Sequence, residues 1–133
     1  MGKLYRLSDL PMVTLVKGAR SRLIVGDKVM VSFIEMEPDM TFPLHRHKSE
    51  QIMIVLEGSI KQTVGDREMS LHRGDVLAME SSLIHGGQVS EEGCKAIDIF
   101  VPPRDDYLRL LNAQNIDEPN STTASKQSSI AQC

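Results

Sequence analysis

Residues 45–58 read HRHKSEQIMIVLEG, and this segment decides the fold. His45 and His47 lie two positions apart, so in an extended strand both imidazoles point to the same face. Gln51 has the same odd-numbered parity, although a turn at Lys48-Ser49 can intervene. The apolar run that follows ends at a Glu-Gly pair, which is a turn signal. The segment therefore predicts a strand that holds two imidazoles and an amide oxygen on one wall of a core.

These side chains are suited to binding a metal. Two imidazoles and an oxygen fit a borderline first-row divalent cation, so we expect nickel, zinc, iron or manganese. Histidines that merely decorate an exposed strand are the alternative, but the chain has only four histidines, and a third, His85, lies in a second patterned segment. Glu50 has the wrong parity for this face and replaces Gln51 as a ligand only if the turn bends differently. We predict a metal site that includes His45, His47 and His85.

Composition narrows the function. The chain has 133 residues, a length typical of one domain. Aromatic residues make up only 4%, there is no tryptophan and the net charge is −3, so we expect no surface for nucleic acid. No apolar run reaches membrane length and no signal peptide is visible, so we expect a cytoplasmic protein without a membrane partner.

Short β-prone segments, each preceded by a turn signal, follow one another along most of the chain. This pattern predicts an all-β sandwich or barrel. After Pro102-Pro103, residues 105–111 are expected to form one short helix. Residues 113–133 are polar and are expected to be a flexible tail after a single domain of residues 1–112. The predicted strands are 12–16, 21–25, 29–36, 51–56, 59–64, 67–71, 76–79 and 94–101.

Two of the predicted strands, residues 51–56 and 94–101, are apolar on both faces. If Gln51 faces the core, the opposite face of its strand needs a cover, and a second copy of the chain is the most economical one. We therefore expect a homodimer that packs sheet against sheet. The apolar residues of the opposite faces are Ile52, Ile54, Leu56, Ile97, Ile99 and Val101.

The spacing of the histidines resembles the first motif of the cupin family. In that motif two histidines one residue apart are followed, after three residues, by a third ligand and, after six more, by glycine; here these are His45, His47, Gln51 and Gly58. Most cupins have Glu at the third position, so Gln51 removes one negative charge from the ligand set. A divalent cation then keeps more of its Lewis acidity. The same change makes higher oxidation states harder to stabilise and argues against oxygen chemistry.

Residues 74–85 resemble the second cupin motif, with His85 at its histidine position and Glu80 where proline is usual. Glu80 lies in a turn, so this departure affects only the shape of a loop. With the surrounding strand pattern, the resemblance covers about residues 13–104. It implies a cupin-type double-stranded β-helix, which is a jelly-roll barrel, with a short C-terminal helix. By itself the fold implies little about function, because cupins host many activities.

Residues 98–108, DIFVPPRDDYL, resemble the end of the small pectin-degradation cupins of the KdgF type. Those proteins open the ring of 4,5-unsaturated uronates left by pectate or alginate lyases, and they use Gln as the third metal ligand. The resemblance implies a metal-dependent enzyme that converts such uronates to linear ketonized sugars. By position, His45, His47, Gln51 and His85 would hold the metal, and Asp98, Phe100 and Arg104 would be the substrate-side aspartate, aromatic and arginine.

The chemistry of these residues is compatible with such roles, but alternatives remain. Asp98 beside a metal-polarised hydroxyl or water suits a general base and then acid. Arg104 suits a uronate carboxylate held by two parallel hydrogen bonds. Alternation alone would also allow the opposite register, with Ile97 and Ile99 inside and Asp98 in solvent. The alternative functions are another small-molecule cupin enzyme, either a dioxygenase or a lyase on a small acid, and a sugar- or metal-binding module without turnover.

Overall fold

The computed structural model describes residues 2–116, and within that range eight strands form one antiparallel sheet. A 3-10 helix, Leu7–Asp9, precedes the sheet, and one α-helix follows it. The predicted all-β barrel with a short C-terminal helix is therefore confirmed. The elements are β1 Val13–Val16, β2 Ala19–Val25, β3 Met30–Met36, β4 Thr41–His45, β5 Glu50–Val64, β6 Arg67–His72, β7 Val76–Met79, β8 His85–Val101 and α1 Asp105–Ile116.

Strands β5 and β8 organise the barrel. They pair with each other along almost their whole length, and each takes part in two groups of strands. The group β1-β2-β3-β8-β5 is extended by β7, which pairs with the first half of β5. At the other end, β4 pairs with the start of β8, and β6 pairs with the second half of β5. This sharing of two long strands produces the jelly roll.

Alternation of side chains builds the core. On β3, Met30, Ile34 and Met36 point inward and are buried, and Val31, Phe33 and Glu35 point outward. Ser32 is also buried, and its hydroxyl shares a hydrogen bond of 2.6 Å with that of Ser21 on β2. These two buried hydroxyls therefore satisfy each other.

The turns expected at residues 57–58 and 91–93 are not turns, which corrects the prediction. Gly58 and Gly93 have φ of +73° and +77°, and both lie inside long strands that bend at these points. A Cβ on Gly58 would lie 1.9 Å from the carbonyl oxygen of Gly93, so the two backbones approach as only glycine allows. Positive-φ glycines bend β5 and β8 together here, with register shifts on either side of Gly58.

Helix α1 begins at Asp105 as predicted but continues to Ile116, beyond the expected end at residue 111. Tyr107 and Leu111 are buried against the barrel. Gln114 binds the edge strand β1, because its amide accepts from the backbone N–H of Thr14 and donates to the Thr14 carbonyl, both at 2.8 Å. Residues 113–116, which we expected in the tail, therefore belong to the helix, and residues 117–133 of that tail lie outside the described residues.

In residues 2–116, no helix is both long enough and apolar enough to cross a membrane.

The outside of the sheet carries two adjacent rows of apolar residues that run across β3, β8 and β5. A charged row borders them, in which the Lys95 amine lies 3.9 Å from the Glu35 carboxylate and 3.7 Å from that of Glu57. We call the apolar surface the outer face. Its half-buried or exposed residues are Val31, Phe33, Ile52, Ile54, Val76, Ile97 and Ile99.

Candidate metal centre

The three candidate histidines come from two neighbouring strands and a loop. His45 ends β4 and pairs with His85, the first residue of β8. His47 lies in the loop 46–49, so the prediction that one strand carries both His45 and His47 is wrong. The loop is held in place because the Ser49 hydroxyl donates to the Pro102 carbonyl at 2.5 Å. The three imidazoles lie close together although the loop 46–49 interrupts the predicted strand.

The imidazoles of His45, His47 and His85 form one cluster. One ring nitrogen from each lies within 4.8 Å of the others. The ring centroids of His45 and His47 lie 4.4 Å and 4.8 Å, respectively, from that of His85. This arrangement is suited to a single metal ion.

Each histidine is fixed in the same tautomer. The Nδ1 atom of each ring lies within hydrogen-bond distance of a backbone carbonyl two positions away in the chain. A carbonyl oxygen only accepts, so Nδ1 carries the proton and the lone pair is on Nε2. Metal-binding histidines are oriented by bonds of this kind. The carbonyls are those of Pro43 (2.9 Å), Ser49 (2.9 Å) and Leu83 (2.8 Å).

The environment keeps the rings of His85 and His47 neutral. His85 is only 3% exposed, and burial lowers its pKa to about 4. Burial and the nearby Arg104 guanidinium also lower the pKa of His47. Among the side-chain nitrogens and oxygens of residues 2–116 that are completely shielded from solvent, Nε2 of His85 alone has no hydrogen-bond partner. A neutral, unpartnered imidazole nitrogen is the atom that a divalent cation binds.

Gln51 completes the donor set. It is 7% exposed, whereas Glu50 is exposed, so the alternative ligand Glu50 is excluded. The Gln51 amide nitrogen donates to the Asp98 carboxylate at 2.8 Å, and the amide oxygen therefore faces His47 Nε2 at 3.0 Å. Both of these atoms are acceptors. Two ligands about 2.1 Å from one cation and at right angles would be about 3 Å apart, so the geometry fits a shared metal ion.

Asp98 points into the barrel and is 7% exposed. The alternative register is wrong, because Ile97 and Ile99 lie on the outer face. Burial raises the pKa of Asp98 to about 6, despite the opposing effects of the hydrogen bond from Gln51 and the charge of Arg104. A carboxyl group with such a pKa can both give and take a proton near neutral pH.

Arg104 lies near Asp98, but its guanidinium is already paired with the Asp106 carboxylate. Its Nε and Nη2 donate to the Asp106 carboxylate at 3.1 and 2.7 Å, and its Cζ lies 3.8 Å from the Tyr107 ring centroid. Although partial burial opposes it, the Arg104 hydrogen bonds hold the pKa of Asp106 below its ordinary value. The edge that we expected to bind a substrate carboxylate is thus occupied by Asp106. The remaining N–H groups, chiefly on Nη1, are left for a ligand.

Phe100 does not occupy the substrate-side position that the resemblance implied. It is 1% exposed and borders neither of the cavities described next. Its ring packs edge-on against His47 and Tyr107, with both centroid distances at 5.6 Å. Phe100 therefore packs behind His47, a candidate metal ligand, and behind Tyr107, the ring on which Arg104 lies.

Two spaces adjoin the histidines. The inner cavity, of about 40 Å³, lies within the barrel and is bordered by His45, Gln51, His85 and Asp98. The outer groove, of about 770 Å³, lies between the loop 46–49 and helix α1. His45 and Arg104 border both. The outer groove has room for a sugar, and the inner cavity has room for only a few waters.

Sequence reasoning found the cluster but missed three of the residues around it. Tyr107 carries the Arg104 guanidinium, Asp106 pairs with it, and Gln62 borders the inner cavity. Tyr107 and Asp106 lie in the quoted segment 98–108, but their roles depend on how α1 packs. The only sequence signal for Gln62 was its position between Ile60 and Val64 on β5, where alternate residues face the core.

Comparisons with known proteins agree with this architecture. The family model described as Cupin domain matches residues 32–100. No curated protein matches the sequence. KdgF from Halomonas sp. is similar in structure, with a TM-score of 0.74 at 20% identity over 80% of this chain and 99% of that one. An RmlC-like cupin from Shewanella frigidimarina gives the same score and identity over 80% and 96%.

Cupins with other activities are also similar in structure. The polyketide cyclase RemF from Streptomyces resistomycificus has a TM-score of 0.69 at 21% identity over 79% of this chain and 82% of that one. Oxalate decarboxylase from Bacillus subtilis has the same score at 20% identity, over 96% of this chain and 38% of the other. Likenesses at this level of identity establish the fold, and the site itself has to carry the argument about function.

Proposed function

The chain belongs to the cupin domain family, and from this premise we propose that it is a metal-dependent enzyme that opens the ring of 4,5-unsaturated uronates. The observation that carries the proposal is the position of the Gln51 amide. It lies 3.0 Å from Nε2 of His47 on one side and 2.8 Å from the Asp98 carboxylate on the other. One side chain thus joins a candidate metal ligand to a candidate acid–base group.

The metal ligands in this proposal are His45, His47, Gln51 and His85. Nickel, zinc, iron or manganese fits such a set of three imidazoles and one amide oxygen. When bound, the ion would supply Lewis acidity to a substrate oxygen. The Gln51 ligand is neutral, so the ligand set does not offset the charge of the ion.

Asp98 borders the inner cavity, so it would move the proton to and from a substrate in the outer groove through an intervening water. In a 4,5-unsaturated uronate, the anomeric hydroxyl loses a proton as C1 becomes a carbonyl and the bond from C1 to the ring oxygen breaks. The released enolate then takes a proton at C4 and becomes the C5 ketone, so the net reaction is an isomerisation. A single carboxyl group at this position suits both transfers, since it accepts the first proton and returns one.

Arg104 would orient the substrate carboxylate. The outer groove is bordered by as many acidic as basic side chains, so apart from the bound cation its side chains give no net attraction for anions. Binding must depend on local contact with Arg104, whose guanidinium is held flat on Tyr107 and tied by Asp106. The basic residues of the groove are Arg46, Lys48 and Arg104, and the acidic ones are Asp27, Asp105 and Asp106.

Two further observations support the choice of substrate class. The outer groove is large enough for a sugar ring and lies against His45 and Arg104. The fold is similar to that of KdgF from Halomonas sp. along nearly the whole of that chain, and residues 98–108 resemble the end of the KdgF-type sequences.

The test is to incubate the metal-loaded protein with unsaturated galacturonate and unsaturated guluronate or mannuronate prepared with lyases. We expect loss of the unsaturated-uronate absorbance beyond the rate without enzyme, and NMR signals of a linear ketonized product. Oxygen uptake with a small acid would instead identify another cupin enzyme. Saturable binding without any product would identify a binding module.

A further inference from the structure

The inner cavity contains a polar side chain for which the proposed mechanism has no use. Gln62 lies on β5 and is 5% exposed. It faces Gly87 across the β5–β8 pair, and the next inward pair along these strands is Val64 with His85. Inward neighbours on a strand are separated by about 7 Å, so Gln62 lies one step deeper in the barrel than His85.

In residues 2–116, the Gln62 side-chain amide has no strong acceptor for its nitrogen and no donor for its oxygen. Its amide nitrogen lies 3.5 Å from the sulfur of Met53, which is a weak acceptor. Its amide oxygen accepts no hydrogen bond from residues 2–116. The amide oxygen is pressed against Gly87, where a Cβ would lie 2.3 Å from it. A buried amide is costly unless its oxygen receives a hydrogen bond, so this position requires a donor from within the cavity.

The size and chemistry of the cavity restrict what that donor can be. About 40 Å³ holds one to three waters and excludes a sugar ring. Besides Gln62 and the polar side chains near the histidine cluster, the cavity is bordered by the apolar residues Ile34, Met36, Phe42, Met53 and Ile60. An acceptor oxygen in apolar surroundings selects a small neutral hydrogen-bond donor and disfavours anions.

We propose that Gln62 holds a water molecule in the inner cavity, on the barrel side of the histidine cluster. This inference rests on the metal-dependent function proposed above. The inner side of the bound cation is then reserved for water, and a uronate reaches the cation only from the outer groove. Gln62 is a positioning residue, because it acts through the water and does not touch the substrate.

Pulsed EPR of the full chain loaded with Mn(II) in D₂O tests this inference, since it counts the deuterium-bearing waters bound to the ion. Gln62→Met, which keeps the length and removes the acceptor, should lose one bound water. Gln62→Glu keeps an acceptor oxygen and should retain it. Gln88→Met makes the same change outside the cavity, where Gln88 is exposed, and should leave the count unchanged.

A second measurement needs no variant. Saturating wild-type protein with D-galacturonate should leave one water on Mn(II), because the sugar approaches from the outer groove. Equal counts in wild type and Gln62→Met, or complete displacement by galacturonate, would overturn the inference while leaving the metal centre intact. Failure of wild type to bind Mn(II), Ni(II), Zn(II) and Fe(II) alike would overturn both proposals. The expected counts without turnover of any uronate would support the inference and refute only the proposed reaction.

Discussion

At the scale of single residues, His85 supplies the most specific expectation about metal. Its Nε2 is buried without a partner in residues 2–116, so a bound cation would stabilise the fold by mass action. Adding Zn(II) or Ni(II) at 100 times Kd should stabilise the wild-type fold by about 2.7 kcal/mol and so raise its melting temperature. His85→Ala should lower the metal content and remove most of this rise in melting temperature. His72→Ala is the matched control, because His72 is exposed and remote from the cluster. Full occupancy of His85→Ala by elemental analysis would contradict the assignment.

Asp98 gives a prediction about pH in the metal-free protein. Asp98 ionises near pH 4 when unfolded and at about 6 when folded. Between these values the folded state binds more protons, so the stability that protonated Asp98 contributes is complete below about pH 4 and is lost as the pH rises through 6. Asp98→Asn does not ionise, so its stability relative to wild type should increase by about 3 kcal/mol from about pH 4 to about pH 7.5.

The measurement is urea unfolding of both proteins at several pH values. Asp66→Asn, at the exposed β5–β6 turn, is the control for the loss of one carboxylate from the protein. A difference between Asp98→Asn and wild type that stays constant with pH would show that Asp98 titrates normally.

The residue pattern predicted the histidine cluster that could hold a metal, but it did not predict the side chains around that cluster. Spacing is a property of the chain and was sufficient to select His45, His47 and Gln51, but the strand parity assumed for the two histidines was wrong, because His47 lies in a loop. The pairing of Arg104 with Asp106 depends on side-chain torsions at the start of α1, and no spacing rule reveals it. A local resemblance therefore suggested a free guanidinium where the structure has a bound one.

At the scale of elements, local sequence signals wrongly predicted a turn wherever a strand bends but continues. A glycine after acidic residues at 57–58 and 91–93 predicts a turn, yet β5 and β8 continue through both places. The two glycines lie opposite each other and bend as a pair, which is a tertiary relationship. Strands such as β7, Val76–Met79, were predicted with their correct bounds because their ends coincide with true turns.

Gly58→Ala should therefore be far more damaging than a typical loop substitution. The new methyl group would lie 1.9 Å from the Gly93 carbonyl oxygen, and the residue would keep a φ of +73°. We expect failure to fold, or a loss above about 3 kcal/mol in urea unfolding. Gly65→Ala is the matched control, since its φ is +61° but nothing lies within 4 Å, and it should cost only about 1–2 kcal/mol. Similar losses in the two variants would refute the close approach of β5 and β8.

At the scale of the whole molecule, the outer face is the feature that a single chain leaves unexplained. Its residues are half-buried or exposed, and a charged row that includes Lys95 borders it. Apolar sheet surfaces of this kind are usually covered. We propose that a second copy covers this one, as the sequence predicted from the two doubly apolar strands.

The purified protein should then be a dimer at micromolar concentration by analytical ultracentrifugation. Ile54→Lys or Ile99→Lys places a charge at the centre of the outer face, and each should dissociate the dimer or make the protein insoluble. Leu4→Lys is the control, because Leu4 is exposed on the N-terminal arm and away from this surface. A monomeric wild type, or a dimer that survives both substitutions, would contradict this assembly.

Turnover of an unsaturated uronate by wild type and by Asp98→Asn, at equal metal content, tests the proposed function most directly. The asparagine side chain would retain an oxygen to accept the Gln51 hydrogen bond, so the metal centre should be preserved while the proton carrier is lost. The account predicts that wild type consumes the substrate and that Asp98→Asn is slower by about 10²–10⁴-fold. Equal turnover by the two proteins, or no turnover by fully metal-loaded wild type, would contradict it.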